Sequence, residues 1–261
     1  MGILNITPDS FSDGGRFIDL DGAVAHAQEM IRNGAEIIDI GGESTRPGAP
    51  EVSSEEEKRR VLPVIKRLLA ETNATVSIDT QKVEVAQAAL ESGAQIVNDI
   101  AANREDDAMW RLVAESGAGY VTMHMQGTPQ TMQSNPHYTD VVAEVNVFFA
   151  DRLKRMAAAG VSLEQTALDV GIGFGKKLEH NLQLLSGLRQ FIGHGRPLLL
   201  GVSRKSFMKT LLGLDVSERL PATLACTVDA IGQGVNIIRT HDVAETTHAI
   251  RMTEAIFQRR R

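Results

Sequence analysis

The chain has little of several things, and each shortage closes off a class of function. It has one cysteine, Cys226, in 261 residues, so no internal disulfide can form and a reducing, cytoplasmic setting is expected. No apolar run reaches the roughly 18 residues that span a bilayer, so no transmembrane helix is expected. The first residues carry neither the basic start nor the long apolar stretch of a signal peptide. A basic excess is missing too: the formal net charge is -6, which gives no reason to expect nucleic acid as a partner. The terminal Gln258-Arg259-Arg260-Arg261 reads as a short solvated charge run. His26, His137, His180, His194 and His248 have no partner at metal-ligand spacing, which argues against a zinc site. Gly171, Gly173 and Gly175 alternate without completing a nucleotide fingerprint. Lys176 stands where GxGxxG needs its last glycine, and Val170 stands where a P-loop needs its first.

What is present is a repeating cycle. The apolar fraction of 43% suits an ordinary globular core. Short apolar runs each stop at a polar residue and open into a loop. Ile3-Leu4 stops at Asn5, Ile37-Ile38-Asp39-Ile40 at Gly41-Gly42, Val76-Ser77-Ile78 at Asp79, and Ile96-Val97 at Asn98-Asp99. Tyr120-Val121-Thr122-Met123 stops at His124, Ala167-Leu168 at Asp169, Leu198-Leu199-Leu200-Gly201-Val202 at Ser203-Arg204-Lys205, and Asn236-Ile237-Ile238 at Arg239-Thr240-His241. Helical patterns lie between the runs, such as Ala23 to Asn33 with Val24, Ala27 and Ile31 on one face. Ser53 or Ser54 is a candidate cap for a charged helix to about Glu71. Further helices are expected over 83–92, 106–115, 139–159 and 181–191. One helical segment follows Lys205, with Pro221 opening its later part, and a last helix runs to near the C-terminus. Roughly eight strand–helix units of this size predict an α/β fold, a (β/α)₈ TIM barrel. The strands are continuous apolar runs, as parallel strands covered on both faces should be. With no linker-like or low-complexity break, residues 1–261 read as a single domain. A doubly wound open sheet is the rival, but it would gather function at one switch point.

In a parallel barrel the strand ends share one face. That face would hold Asn5, Thr45, Arg46, Asp79, Asn98, His124, Asp169, Ser203, Lys205, Arg239 and His241. Arginine forks and a lysine suit an anion. Carboxylates with an amide suit a flat heterocycle carrying N–H groups. Each residue also has a bland reading. Asp39 and Asp99 read as turn formers or caps and stay outside the candidate site. His124, between two methionines, reads as a satisfied structural histidine. Met123 and Phe174 are either core or walls for a flat ring.

Longer motifs are more specific. The segments are Gly2 to Gly15, Asp39 to Gly48, Ser77-Ile78-Asp79-Thr80, Val97-Asn98-Asp99-Ile100, Asp169 to Lys176, Ser203-Arg204-Lys205-Ser206-Phe207 and Arg239-Thr240-His241-Asp242-Val243. In this order and spacing the chain resembles the bacterial dihydropteroate synthase family along nearly all its length. The resemblance implies joining of (7,8-dihydropterin-6-yl)methyl diphosphate to 4-aminobenzoate, with loss of diphosphate, in folate synthesis. It implies pterin contacts from Asp79, Asn98, Met123, Asp169, Gly201 and Lys205. Asn5, Thr45, Arg239 and His241 would hold the diphosphate, with Asn5 also on Mg²⁺. The carboxylate and ring of 4-aminobenzoate would meet the Ser203 region, Phe174, Thr45, Pro47 and Lys205. Phe11 and Asp13 in the first loop, and Thr45, Arg46 and Pro47 in the second, would close over the reaction. A homodimer is the implied assembly.

Two departures stand out. The family usually carries a segment before its first strand, covering the barrel floor, whereas Met1 here stands almost at that strand. Thr240 lies inside the Arg239–His241 motif, a modest change. A barrel that moves a methyl group from methyltetrahydrofolate to a corrinoid is one rival, but needs neither the second loop nor the anion site. A non-catalytic pterin-binding paralogue is another, and should have lost Asn5, Lys205 or the loop residues.

Overall fold

The computed structural model describes residues 1–7, 19–44, 50–102 and 106–259. Eight strands form one parallel sheet in sequence order. They are β1 (Gly2–Asn5), β2 (Ile37–Gly41), β3 (Thr75–Asp79), β4 (Ile96–Asp99), β5 (Gly119–Met123), β6 (Thr166–Asp169), β7 (Leu198–Gly201) and β8 (Ile237–Arg239). The two edges meet. Gly2 bridges Thr240 in parallel, Ile3 N–H donates to the Thr240 carbonyl at 2.9 Å, and Thr240 N–H donates to the Met1 carbonyl at 3.0 Å. The sheet therefore closes into a (β/α)₈ barrel, which leaves no unpaired strand edge.

The helices are α1 (Leu20–Arg32), α2 (Ser54–Glu71), α3 (Val83–Glu91), α4 (Ala108–Ser116), α5 (Val141–Ala158), α6 (Leu178–Ser186), α7 (Phe207–Leu212), α8 (Leu220–Gln233) and α9 (Val243–Gln258). Their starts follow side-chain chemistry. Asp19 accepts from Gly22 N–H at 2.9 Å and begins α1 three residues before the expected Ala23. Ser53, not Ser54, caps α2 through Glu56 N–H at 3.2 Å. Asp140 caps α5 through Val142 and Ala143 N–H. Two expected helices are divided. The 181–191 segment stops as an α-helix at Gly187 and continues as a 3₁₀ turn to His194. The segment after Lys205 splits at Gly213, a left-handed C-cap with φ +76°, and Pro221 sits in the first turn of α8.

The strands read as mainly apolar runs because both faces are covered, with Asp39, Ser77 and Thr122 as buried polar exceptions. Leu4, Ile38, Ile40, Val76, Ile78 and Val97 pack outward on Val24, Val61, Ile65, Leu68 and Val85 of α1 to α3. On the other side Leu168, Leu198, Leu200 and Ile238 pack on Val145, Phe149, Leu184, Phe191 and Ala230. A smaller cluster joins Val121, Ala167 and Leu199 to Met1, Ile96 and Ile237. Met1 sits at the end of the barrel away from the strand tips. Its ammonium donates to the Ile238 carbonyl at 3.0 Å, and burial lowers its pKa. No helix among the described residues is long and apolar enough to cross a membrane.

Candidate active site

The polar residues that end the strands gather at the opposite mouth. At its centre lies Arg239, the last residue of β8. Its Nε donates to Asp39 Oδ2 at 2.6 Å and its terminal nitrogen to Asp79 Oδ2 at 2.6 Å. Asn98 Nδ2 donates to the same Asp39 Oδ2 at 2.9 Å. One carboxylate on β2 therefore orients an arginine on β8 and an amide on β4. Asp39 is wholly buried, and its Oδ1 has no hydrogen-bond partner among the described residues. Reading Asp39 as a turn former or cap is corrected: it is the buried support of the mouth. The available signal was its place inside Ile37-Ile38-Asp39-Ile40. A charge in a run buried on both faces needs a partner. Asp99 accepts from Ala101 N–H at 2.8 Å, the local turn contact expected of it, and also from the Tyr120 hydroxyl on β5 at 2.7 Å.

The register explains the grouping. Gly41 pairs with Asp79, and Asp79 pairs with Asn98, so three neighbouring strands end level. Gly201 pairs with Arg239 across β7 and β8; an added Cβ there would lie 3.9 Å from the arginine chain. Asn5 ends β1 opposite Gly41.

Asp169 and Lys205 form the next part. Asp169 is buried and accepts from Gly171 N–H at 2.8 Å. Burial raises its pKa, against the pull of Lys205 and the Gly171 N–H. Lys205 donates to the Ile172 carbonyl, and its ammonium lies 4.5 Å from the Phe174 ring centre. Burial lowers Lys205 to about 8, while Asp169 opposes the shift. Asp79 is pushed up to about 7 by burial, with Arg239 pulling it down and Asp39 pushing it further up. For Arg239 burial lowers the pKa, but the flanking Asp39 and Asp79 outweigh it and the net direction is up. The mouth is a largely buried electrostatic site in which neighbouring charges shift one another.

Ser203 and His241 are joined. Ser203 Oγ lies 2.9 Å from His241 Nδ1 and accepts from His241 N–H at 3.1 Å. Arg204, with φ +56°, reaches back to Asp242, its Nε donating to Oδ2 at 3.0 Å. Two contacts thus clamp the β7 and β8 tips together. Met123 and Phe174 pack with Ile100, Met125 and Met132, the core reading of the two. His124 is the satisfied histidine expected, with Lys176 Nζ 3.0 Å from its Nδ1. The structure thus brings together Asp79, Asn98, Asp169, Lys205 and Arg239 as the tips of one mouth, with Ser203 and His241 beside them. Phe11, Asp13, Thr45, Arg46 and Pro47 lie outside the described residues.

Residues 1–241 match the family of pterin binding enzymes, and the chain belongs to that family. Its relatives narrow the class. Dihydropteroate synthase of Escherichia coli (strain K12) is 51% identical over 255 residues, spanning 98% of this chain and 90% of that protein. The structure of Yersinia pestis dihydropteroate synthase with a sulfonamide drug superposes with a TM-score of 0.93 at 46% identity, covering 99% of this chain and 94% of that one. Xanthomonas albilineans dihydropteroate synthase with 4-aminobenzoic acid superposes with a TM-score of 0.91 at 43% identity, covering 98% and 92%. The resemblance to dihydropteroate synthase read from the motifs is borne out across nearly the whole chain.

Proposed function

We infer that this chain is a transferase of folate synthesis with dihydropteroate synthase activity. It joins (7,8-dihydropterin-6-yl)methyl diphosphate to 4-aminobenzoate and releases diphosphate. The observation that carries the reading is identity of 51% over 98% of the chain, in a fold that brings the tips of β3, β4, β6 and β8 and the loop after β7 to one mouth. The whole chain acts as one domain.

Asp79, Asn98 and Asp169 accept and donate to the edge of the pterin ring, with Lys205 beside Asp169. Met123 and Gly201 give that ring an apolar floor and space. Asn5, Arg239 and His241 face the diphosphate, joined by Thr45. Phe174, Lys205 and the Ser203 region receive 4-aminobenzoate, together with Thr45 and Pro47. Phe11, Asp13 and Arg46 complete the cover from the two loops.

The bond from the pterin methylene to the diphosphate oxygen breaks first, and the neutral amine of 4-aminobenzoate then attacks the methylene cation. Charge grows on the leaving oxygen during that step, so groups already aimed there lower the barrier. Arg239 supplies a fixed cation oriented by Asp39. Ser203 accepts the His241 backbone N–H, and its Oγ lies 2.9 Å from Nδ1, which fixes the imidazole that faces the diphosphate. Mg²⁺, when bound, supplies further positive charge to the leaving group. The donor set fits such an ion. No group of three or more His, Cys, Asp or Glu suited to a metal occurs among the described residues. Asn5 offers one hard oxygen, and Mg²⁺ typically takes few protein oxygens plus substrate phosphates. No covalent enzyme intermediate is needed, and Cys226 lies in α8, away from the strand tips.

Arg239→Ala tests the leaving-group role. Diphosphate release at saturating substrate should fall about a hundredfold; a rate within a few-fold of the parent removes the role. The setting is cytoplasmic, consistent with one free cysteine and small-molecule substrates. The assembly is a homodimer. Val228, on α8, and Met252 and Ile256, on α9, are exposed at 41%, 65% and 44%, an apolar surface that a second copy would cover.

A further inference from the structure

Lys176 takes no part in the chemistry above, yet it is only 3% exposed. It follows the glycine loop after β6, and its amine reaches back into that loop. Lys176 Nζ donates to the Phe174 carbonyl at 2.9 Å and to the His124 carbonyl at 3.2 Å, and lies 3.0 Å from His124 Nδ1. The rest of the loop is tied just as fully. The Gly171 carbonyl takes Phe174 N–H, the Ile172 carbonyl takes Lys205, the Gly173 carbonyl takes Gln133 and the Gly175 carbonyl takes the Tyr138 hydroxyl. Every carbonyl from Gly171 to Gly175 has a named donor, and the one at Phe174 is the buried lysine.

The loop also lies hard against the β5 tip. A Cβ on Gly171 would fall 1.9 Å from the His124 carbonyl oxygen, and one on Gly175 would fall 2.6 Å from the Gln126 carbonyl oxygen. Two carbonyls, one on each segment, therefore meet at a single amine. We infer that Lys176 is a positioning residue: it locks the glycine loop to the β5 tip and thereby sets the Phe174 wall that admits 4-aminobenzoate. Burial holds its amine well below the usual lysine range. The amine has N–H groups for both carbonyls, with His124 Nδ1 as its third partner. Phe174 is then fixed from both ends, its carbonyl by Lys176 and its ring by the Lys205 ammonium.

The inference rests on the reading of Phe174 as part of the 4-aminobenzoate pocket, so the test measures that reading separately. Steady-state kinetics are compared for Lys176→Met, Phe174→Ala and the double variant in the full chain. Lys176→Met should raise KM for 4-aminobenzoate about tenfold, leave kcat within about threefold, and leave affinity for the pterin diphosphate unchanged by calorimetry. If Lys176 acts through Phe174, the double variant is no worse than Phe174→Ala alone. A raised KM in Phe174→Ala with an unchanged KM in Lys176→Met overturns the inference, as do effects that multiply in the double variant. An unchanged KM in Phe174→Ala overturns both the wall reading and this route. Should Lys176→Met fail to fold, Lys176→Gln, which keeps N–H groups in the buried space, is read in the same way. A purely structural lysine would lower yield and thermal midpoint without moving KM for one substrate alone.

Discussion

Asp39, Asp79 and Arg239 set the behaviour of the site at the scale of single residues. The arginine is shared between two carboxylates at 2.6 Å each, and Asp39 also holds Asn98. Asp39→Ala takes the acceptor from Asn98 Nδ2 and leaves Arg239 with one of its two carboxylates, Asp79, and leaving such buried donors unsatisfied typically costs about 1–3 kcal/mol or more. Chemical denaturation should show a loss of that order; a loss within about 0.5 kcal/mol would remove Asp39 from its supporting role. Asp79 is raised to about 7 by burial, chiefly, and Lys205 is lowered to about 8 by the same cause. As an acceptor for pterin N–H groups, Asp79 works ionised, so affinity should fall as pH drops through about 7. Lys205 works charged, so affinity should fall again as pH rises through about 8. Calorimetry across pH 5.5–9.5 checks for this bell shape, and a flat profile would contradict it. The sign for stability differs. Folded Asp79 keeps its proton to a higher pH than the unfolded chain does, so its contribution to stability declines between about pH 4 and about pH 7. The tip residues Asp79, Asn98, Asp169, Lys205 and Arg239 were legible because each ends an apolar run. Asp39 was not, because its meaning depends on β4 and β8 side chains brought beside it only by barrel closure.

At the scale of elements, turns and tips carry unequal stakes. Gly117 ends α4 with φ +69°, and an added Cβ would meet nothing within 4 Å. Gly117→Ala should therefore cost only the left-handed backbone penalty, about 1 kcal/mol. Gly171 has a similar φ of +68°, but its Cβ would strike the His124 carbonyl. Gly171→Ala should cost about 3 kcal/mol or more, since backbone must move. Thermal melts of the two variants separate the cases, and equal losses would contradict the interlock of β5 with the loop after β6. Helix starts were readable where a side chain caps them, as at Ser53. Division of the segment after Lys205 into α7 and α8 was harder to see. Gly213 is one glycine in an otherwise helical pattern, and only its left-handed φ shows the break.

At the scale of the molecule, closure by Gly2 and Thr240 turns residues far apart in sequence into one mouth. That is why a ring of modest local signals was informative as a set. The same scale holds the assembly prediction. Light scattering should give about twice the 28.3 kDa chain mass, and Val228→Asp with Met252→Asp should shift it toward the single-chain value. A parent protein at 28.3 kDa would contradict the homodimer. The activity itself is the central claim, and one assay reaches it directly. The full chain is mixed with the pterin diphosphate, Mg²⁺ and 4-aminobenzoate, and diphosphate and dihydropteroate are measured together. The account predicts equal amounts of both, dependent on 4-aminobenzoate. Pterin diphosphate that stays intact, or diphosphate released without dihydropteroate, would contradict it.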